Sequence, residues 1–235
     1  MCIRDRASAA ALDYQTDGRT SRITIDVMGD IVEVSLDAVG EHWSANAALA
    51  LLAAVLTGIS PRSAAAALSG YAPPAGRGVA ETIHLPDGGE ATLVDDSYNA
   101  NPESMRAALE GFARRPGRRI VALGEMRELG ASSADLHAGL ADSILAAGVS
   151  IAILSGLEMR RLADELSARR STIANELVAN SAAAAERVKS HLRPGDLVLI
   201  KGSNASGMAA VGSALRQMSR EALSSRQASG ASDVV

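Results

Sequence analysis

Several residue types are scarce in this chain of 235 residues. Aromatic residues make up only 2% of it, and its single cysteine is Cys2. One cysteine excludes both a disulfide framework and a thiolate metal site. Because aromatic side chains are so few, the core must consist of small aliphatic residues such as Ala, Leu and Val, which favours layered packing of helices on a sheet.

Longer patterns are missing as well. No apolar run approaches the roughly 20 residues of a membrane-spanning helix, and the N-terminus has no signal-peptide hydrophobic region. We therefore expect a cytoplasmic protein without membrane insertion. The net charge is −4 and no basic run is interleaved with aromatic residues, which argues against nucleic acid as a partner.

Two nucleotide-binding signatures are also absent. The sequence contains no G-x-x-x-x-G-K-[ST] loop and no strand–G-x-G-x-x-G–helix pattern. Neither a cradle for the ATP triphosphate nor a dinucleotide site is therefore evident. No nucleophile elbow of the G-x-S-x-G type is present either.

The most informative stretch that is present reads ATLVDDSYNANPESM and spans residues 91–105. Residues 91–94 predict a short buried strand, while Asn101 and Pro102 predict a helix start, as N-cap and as first helical residue. The carboxylates, amides and phenol between them are of the kind that open α/β sheets place in ligand crevices. An Asx-rich turn followed by a helix cap would account for the same residues.

The region before this stretch has a different pattern. Residues 21–36 predict two strands joined by a turn at Gly29-Asp30. Helices are predicted over residues 41–58 and 61–69. The first of them carries His42 and Asn46, which lie on one face because they are four residues apart. Ordinary polarity at a helix start is the alternative explanation for this pair.

A glycine- and proline-rich segment, GYAPPAGRG at residues 70–78, predicts a hinge or domain boundary. Within it, Arg77 lies between two glycines and is free to reach an anion. Any exposed linker can contain such an arginine, so the alternative stays open.

From residue 79 onward, short apolar strands alternate with helices of roughly 10 to 15 residues, which indicates βαβ units. Strands are predicted over residues 82–85, 90–94, 119–123, 150–154, 172–178 and 196–200. Helices are predicted over residues 102–113, 133–147, 157–169, 182–192 and 205–220. The fold class is thus α/β, a doubly wound Rossmann-like domain with a mainly parallel sheet over residues 79–220. Residues 221–235 predict a flexible tail, and residues 1–20 are assigned to no element.

Right-handed crossovers place every strand-to-helix loop of such a domain at one edge of the sheet. We call this edge the rim; its predicted loops are residues 95–101, 124–130, 155–156 and 201–206. In the last of them, Lys201 and Ser203 follow the strongest strand, and the ammonium, hydroxyl and backbone N–H groups are predicted to converge on an anion at a helix N-terminus. Lys201 is informative because the chain has only two lysines. A solvated loop lysine is the alternative.

Other polar residues are predicted to have structural roles. Glu125 and Glu128 lie three residues apart in GEMRELG, where capping of the next element is favoured over ligand binding. His84, His137 and His191 have no carboxylate or cysteine partner at metal-ligand spacing. They are predicted to be surface or packing residues, and no metal ligand is assigned.

Five motifs resemble those of the Mur ligases of peptidoglycan synthesis. They are G-x-H-x-x-x-N at residues 40–46, G-R-G at 76–78, DDSYNANPESM at 95–105, LGEMRELG at 123–130 with a histidine downstream, and LIKGSNASGM at 199–208. The third motif resembles most closely the branch of the family that adds D-alanyl-D-alanine, because sibling ligases carry variants such as D-Y-A-H-x-P.

The resemblance implies an ATP-dependent amide-bond ligase that uses ATP and Mg²⁺. The carboxylate of UDP-N-acetylmuramoyl-tripeptide is phosphorylated, and the amine of D-alanyl-D-alanine attacks the resulting acyl phosphate while Mg²⁺ neutralises the transferring phosphoryl group. Family enzymes have three domains, and residues 21–78 resemble the end of the central ATPase domain. Residues 79–220 resemble the C-terminal domain that closes over the nucleotide. A monomer is expected.

The resemblance also implies nucleotide-binding residues. Asn46 matches the asparagine that contacts adenine, Arg77 the arginine near the phosphates and ribose, and Asp96 the aspartate that reaches the ribose. The complete set of implied nucleotide-binding residues is His42, Asn46, Arg77, Asp96, Tyr98, Asn99 and Asn101.

The catalytic residues implied by the resemblance are Lys201, Ser203 and Asp96, the first two in the segment K-G-S at the catalytic cleft. The family's phosphate-loop lysine and its carboxylated lysine have no counterparts, because neither Lys189 nor Lys201 lies in the required context. We therefore expect a C-terminal portion of the ligase that is inactive alone. A sibling Mur-type or folylpolyglutamate-type ligase and a non-catalytic nucleotide-binding module are the alternatives.

Overall fold

The computed structural model describes residues 8–17, 20–38, 40–169 and 172–230. Their contacts divide the chain into two compact units, one up to Pro74 and one from Ala75 onward. This division falls inside the glycine- and proline-rich segment at residues 70–78.

The first unit is a small antiparallel sheet with two helices. Its elements are β1 (Ala9–Thr16), β2 (Ser21–Val27), β3 (Asp30–Leu36), α1 (His42–Leu56) and α2 (Pro61–Leu68). Alternate residues of β2 are buried, as expected for a strand with one face on a core. Ile23, Ile25 and Val34 on the sheet and Leu51 on α1 belong to that core.

The predicted hairpin between the second and third strands is confirmed. β2 and β3 pair antiparallel, with Val27 opposite Asp30. The turn residues are Met28 and Gly29, one residue earlier than predicted, and both have positive φ angles of 53° and 93°. Two central residues of this kind match the right-handed twist of the flanking strands.

One strand of the first unit was not predicted. β1 pairs antiparallel with β2 and lies within residues 1–20, which the sequence pattern assigned to no element. The segment AAALDYQT lacks clear alternation, and its side chains are mostly exposed, so the hydrophobic signal on which strand prediction depends is weak. Residues 1–6 lie outside the described residues.

The second unit alternates strands and helices. In chain order they are β4 (Val79–His84), β5 (Glu90–Asp96), α3 (Pro102–Ala113), β6 (Arg119–Gly124), α4 (Ser133–Ala138), α5 (Ala141–Ala146), β7 (Val149–Ser155), α6 (Arg160–Ala168), β8 (Ala174–Val178), α7 (Ser181–His191), β9 (Leu197–Lys201) and α8 (Ala209–Gly230). Single 3₁₀ turns precede α4 and α8.

The predicted doubly wound α/β fold is confirmed. Among the described residues the second unit has a six-stranded sheet in the order β4-β5-β9-β6-β7-β8. All neighbouring strands are parallel except β4 and β5, which form an antiparallel hairpin. Along β6, Ile120 and Ala122 face one core while Val121 and Leu123 face the other. Burial on both faces explains why this strand is a continuous apolar run.

Two helices differ most from their predicted extents. The helix predicted over residues 133–147 is divided into α4 and α5 near Gly139, where the hydrogen bonding changes: the Gly139 N–H donates to the Asp135 carbonyl, but the Leu140 N–H donates to the His137 carbonyl three residues back. This is the tighter 3₁₀ pattern that commonly ends a helix.

The second correction concerns the C-terminal helix. α8 begins at Ala209 rather than at residue 205, and it continues to Gly230 through most of the predicted flexible tail. Ala222 is buried, and the Arg226 guanidinium donates to the Leu85 carbonyl at 2.8 Å. The buried Ala222 and the Arg226 hydrogen bond hold this polar segment against the second unit. Composition alone does not reveal either interaction. Residues 231–235 lie outside the described residues.

An ion pair between β8 and α7 makes the stability of the second unit depend on pH. Glu176 accepts a hydrogen bond from the Arg187 guanidinium at 2.8 Å, and Nε2 of His191 lies 2.7 Å from the same carboxylate oxygen. The Arg187 hydrogen bond, assisted by His191 and opposed by burial, lowers the pKa of Glu176 from 4.5 to about 2. Since the folded state keeps this carboxylate charged to lower pH than the unfolded state does, the stabilisation is present above pH 4.5 and is lost as the pH falls toward 2.

We expect the Glu176→Gln substitution to lower the free energy of unfolding by about 1 kcal/mol at neutral pH, because the pair is partly exposed. The difference from the parent protein should shrink as the pH falls below 4.5. Urea denaturation at a series of pH values measures it. Glu110→Gln, which removes a fully solvent-facing pair with Arg114, is the matched control and should change little. A deficit that stays constant down to pH 3 would contradict this assignment.

Candidate functional site at the rim of the parallel sheet

Four strand ends meet at the predicted rim. The strand register places Asp96 beside Lys201, Lys201 beside Leu123, and Gly124 beside Ser155. The carboxyl ends of β5, β9, β6 and β7 are therefore neighbours in that order. The prediction that their loops share one edge of the sheet is confirmed, and this is the edge where open α/β sheets bind ligands.

A buried ammonium group lies at the centre of the rim. Nζ of Lys201 donates to Oδ2 of Asp96 at 2.6 Å and to the Asn99 carbonyl at 3.0 Å. The Lys201 side chain is only 3% exposed, whereas that of Asp96 is 27% exposed. Burying an unpaired ammonium would be costly, so Asp96 is needed to hold the charge there. This geometry excludes the alternative of a solvated loop lysine.

Ser203, two residues further on, is a buried hydroxyl without a partner. The residue is 3% exposed, and its Oγ finds no hydrogen-bond partner among the described residues. A buried polar group left unsatisfied destabilises the folded protein, so each one calls for an explanation such as a ligand. Ser203 is therefore a buried rim residue with unused hydrogen-bonding capacity.

The loop after β9 does not lead directly into an α-helix, as the predicted anion site at a helix N-terminus required. The Ser203 N–H donates to the Glu125 carbonyl at 3.0 Å. The segment that follows is a 3₁₀ turn at Asn204–Ser206, and Gly207 then adopts a left-handed conformation before α8 begins. No α-helix N-terminus therefore directly follows the K-G-S segment. The Ser203 N–H is therefore already used within the protein.

Arg77 and Tyr98 stack on one another. The guanidinium carbon of Arg77 lies 3.9 Å from the centre of the Tyr98 ring, a cation–π contact. The Tyr98 N–H donates to the Gly76 carbonyl at 2.9 Å, which ties the two segments together. Tyr98 is 51% exposed and Arg77 is exposed. An accessible cation is thus presented beside the loop that carries Asp96.

The two asparagines of this loop have local partners. Oδ1 of Asn99 accepts from the Ala100 N–H. Asn101 forms a capping box with Ser104: its Oδ1 accepts from the Ser104 N–H at 2.7 Å and its own N–H donates to the Ser104 hydroxyl. The helix-cap prediction for Asn101 is confirmed, and α3 has the predicted bounds. A ligand-binding role for either asparagine stays a prediction.

The remaining predicted site residues, His42 and Asn46, belong to the first unit. Both lie in the first turns of α1, and Asn46 is exposed. The side chain of His42 lies outside the described part of the chain. The predicted site residues of the second unit thus lie along one rim. His42 and Asn46 belong to the other compact unit.

Glu125 and His137 have the predicted structural roles. The buried Glu125 carboxylate accepts from the Glu158 N–H at 2.9 Å, two residues before α6 begins. His137 is completely buried; its Nε2 accepts from the Met126 N–H at 3.0 Å and its Nδ1 lies 2.8 Å from the Ser133 carbonyl. Since an amide N–H only donates, the ring proton is assigned to Nδ1. These bonds fix the LGEMRELG loop against its neighbours.

Sequence reasoning missed the network behind the Asp96 loop. The Arg216 guanidinium on α8 donates to Asp95 and to Glu81, each at 2.7 Å. Oδ1 of Asp95 accepts from the Ser97 hydroxyl at 2.6 Å. Burial disfavours the charged form of Arg216, but the hydrogen bonds to Glu81 and Asp95 outweigh it and raise the pKa. The sequence does show an aspartate, Asp95, directly after an apolar run, which could have indicated a buried carboxylate. Nothing in the sequence indicates that Arg216 is its partner.

Within the described ranges, no group of three or more His, Cys, Asp or Glu side chains is arranged to hold a metal ion. Nor does any helix in that part of the chain have the length and apolar character needed to cross a membrane.

The candidate site thus lies at the carboxyl edge of a mainly parallel sheet, where Lys201 pairs with Asp96 and the Ser203 hydroxyl has no partner in the described part of the chain. The chain belongs to the Mur ligase family: the family model described as "Mur ligase, glutamate ligase domain" matches residues 80–204, more than half of the chain.

Within this family the chain is similar to D-alanyl-D-alanine-adding ligases. It is 32% identical to UDP-N-acetylmuramoyl-tripeptide–D-alanyl-D-alanine ligase of Mycobacterium tuberculosis (strain CDC 1551 / Oshkosh), over 90% of this chain and 49% of the relative. It is 29% identical to the enzyme of the same name from Escherichia coli (strain K12), over 88% of this chain and 44% of the relative. The chain spans about half the length of the curated relatives it matches.

Solved structures agree on the fold. A crystal structure of MurF from Acinetobacter baumannii matches with a TM-score of 0.75 and 23% identity, over 90% of this chain and 46% of that one. MurF from Thermotoga maritima in complex with ADP matches with a TM-score of 0.71 and 18% identity, over 93% and 48%. The family resemblance predicted from five sequence motifs is confirmed.

Proposed function

We propose that this chain is the C-terminal portion of an ATP-dependent ligase of peptidoglycan precursor synthesis, which adds D-alanyl-D-alanine to UDP-N-acetylmuramoyl-tripeptide through an acyl phosphate. One observation carries the proposal: in a Mur ligase chain, a buried lysine, Lys201, pairs with Asp96 at the rim, two residues before a buried Ser203 hydroxyl that has no partner among the described residues. The names of the relatives supply the substrates. We place the reaction in the cytoplasm.

The second unit contributes positive charge and hydrogen bonds to this reaction. Lys201 supplies a fixed ammonium in a site of low exposure, where its attraction for a phosphate or carboxylate is little screened. Ser203 supplies a hydroxyl that is free to donate. Lys201 is the last residue of strand β9 and Ser203 follows two residues later, so both groups need little reorganisation when charge develops on the substrate.

The nucleotide is assigned to the residues that the family motifs indicate. Arg77 suits the phosphates and ribose because its guanidinium is exposed and always charged. Asp96 suits the ribose hydroxyls, since its carboxylate is partly exposed and carboxylate oxygens accept hydrogen bonds from hydroxyl groups. Asn46 and His42 are assigned to adenine. Tyr98, Asn99 and Asn101 are assigned to the loop near ATP and the incoming dipeptide.

Mg²⁺ supplies charge neutralisation to phosphoryl transfer when it is bound. The described residues do not fit it, because they present no carboxylate or histidine cluster for a metal. No Mg²⁺ ligand is therefore assigned to the second unit.

The function is tested with the enzyme encoded by the complete gene. We expect phosphate release from ATP only when UDP-N-acetylmuramoyl-tripeptide and D-alanyl-D-alanine are both present, and we expect the chain of 235 residues to release none because it has no triphosphate loop. Diaminopimelate, lysine and glutamate, tested as alternative amines, separate sibling and folylpolyglutamate-type ligases. Absence of turnover with every amine would favour a non-catalytic binding module. Phosphate release from ATP by the chain alone would contradict the expectation that the triphosphate is bound by a part of the enzyme outside this chain.

A further inference from the structure

Asp95 is hydrogen-bonded to three other residues of the second unit, Arg216, Ser97 and Gly78. Its carboxylate is almost completely buried and receives hydrogen bonds from Arg216 on α8 and from Ser97 in the rim loop. Its backbone carbonyl accepts from the Gly78 N–H at 2.7 Å. Arg216 also binds Glu81 on β4. Asp95 is therefore hydrogen-bonded both to the loop that follows it and to the segment that carries Arg77.

The space for this arrangement depends on a glycine. A Cβ atom at Gly212 on α8 would lie 2.7 Å from Oδ2 of Asp95, closer than van der Waals contact permits. α8 can thus approach the buried carboxylate only because residue 212 has no side chain. Arg216, one turn further along the same helix, then reaches Asp95 at 2.7 Å.

A series of contacts links Asp95 to the exposed Arg77–Tyr98 stack. Both the N–H and the hydroxyl of Ser97 bind the same carboxylate oxygen, at 3.2 and 2.6 Å, and this sets the direction in which the chain enters Tyr98. The Tyr98 N–H then binds the Gly76 carbonyl, and Arg77 lies over the Tyr98 ring. Rotation of Ser97 would therefore move both members of the stack.

We infer that Arg216 and Asp95 are positioning residues, which act through Ser97 to hold Tyr98 and Arg77 in the orientation that receives the nucleotide. The inference rests on the proposed function for the identity of the ligand. Neither residue faces the rim itself: Asp95 is buried, and Arg216 lies on the helix behind it.

The stack can be observed directly by NMR spectroscopy on this chain, because it has only three tyrosines. We expect a nuclear Overhauser contact between the Tyr98 ring and the Arg77 side chain in the parent protein. Arg216→Met and Ser97→Ala should both lose this contact. Ser97→Ala is the milder variant, since it leaves the Arg216–Asp95 pair in place. Arg220→Met, an exposed arginine one turn along the same helix, is the matched control and should retain the contact.

If Arg216 and Ser97 only stabilise the second unit, the NMR spectra of the variants should change in a different way. A general loss of stability would also move the ring signals of Phe112, which is buried in the core of the second unit, whereas a positioning role confines the change to Tyr98 and Arg77. Persistence of the contact in both variants would overturn the inference, and so would its loss in Arg220→Met.

The same variants in the complete enzyme test the link to the ligand. We expect the dissociation constant for ADP to rise about tenfold in Ser97→Ala, the equivalent of one hydrogen bond, and to stay unchanged in Arg220→Met. If the parent enzyme does not bind ADP, the proposed function fails while the NMR result still decides the positioning role. An unchanged ADP affinity in a Ser97→Ala enzyme that has lost the stack would overturn the inference that the stack is positioned for nucleotide.

Discussion

In the enzyme encoded by the complete gene, we expect Lys201→Met to lower kcat/KM by about 100-fold, the typical effect of removing one fixed charge that stabilises a transition state. The buried Lys201 ammonium is held by Asp96 and by the Asn99 carbonyl. Methionine retains most of the apolar length of the side chain but not its charge. Lys189→Met is the matched control: the chain's only other lysine forms an i,i+3 pair with Glu186 on α7, and its loss should leave kcat/KM unchanged.

The two members of the Lys201–Asp96 pair should differ in their effect on stability. Lys201→Met leaves Asp96, which is 27% exposed and can be hydrated, so the free energy of unfolding should fall by only about 1 kcal/mol. Asp96→Asn leaves an ammonium that is 3% exposed without its counter-charge and should cost about 3 kcal/mol. Urea denaturation of the two variants measures this asymmetry. Equal kinetic effects of Lys201→Met and Lys189→Met would remove the reason for placing Lys201 at the reacting groups.

The second large effect concerns Ser203, for which stability and activity should change in opposite directions. Ser203→Ala removes a buried hydroxyl that has no partner among the described residues, so we expect the folded state to gain about 1 kcal/mol. The same substitution should lower kcat/KM at least tenfold, since a hydroxyl retained at such a cost to stability is explained by a bond to the substrate. Thermal denaturation and steady-state kinetics measure the two effects.

Ser213→Ala provides the comparison for Ser203. The Ser213 hydroxyl donates to the Ala209 carbonyl on the exposed side of α8, so its removal should leave kcat/KM unchanged and should not increase stability. If Ser203→Ala instead loses as much stability as the removal of a hydrogen-bonded serine hydroxyl, the Ser203 hydroxyl must have a hydrogen-bond partner. That result would contradict the assignment of Ser203 as unsatisfied. Unchanged kinetics in Ser203→Ala would exclude a contact with the substrate.

Local features of the fold were predictable where a few neighbouring residues decide them. Asn101 and Pro102 predicted the first residue of α3, because a side-chain cap and a fixed φ act within a single turn. The continuous apolar strand β6 predicted burial on both faces, and hence the parallel sheet. The polar tail after residue 220 misled the prediction, since two long-range contacts, at Ala222 and Arg226, were enough to retain a helix there.

The candidate site was predictable in its residue types but not in its contacts. The family motifs contain Asp96, Tyr98, Lys201 and Ser203, and the alternation of strands and helices places them at one edge of a sheet. That Lys201 is buried against Asp96 depends on β9 lying between β5 and β6, a strand order that the sequence pattern does not specify. The Arg216–Asp95 bond joins residues 121 positions apart, beyond the reach of any local rule.

The sequence by itself thus determined the α/β class, the edge at which polar loops gather, and the family, because periodicity, helix caps and short motifs are properties of adjacent residues. Only the tertiary structure decided which charges are paired, that the Ser203 hydroxyl is left without a partner among the described residues, and that α8 supports the rim from behind. All three features depend on segments that are distant in sequence and bury one another's side chains away from water. Burial determines the energy of a charge or a hydroxyl, and burial is a property of the packed fold.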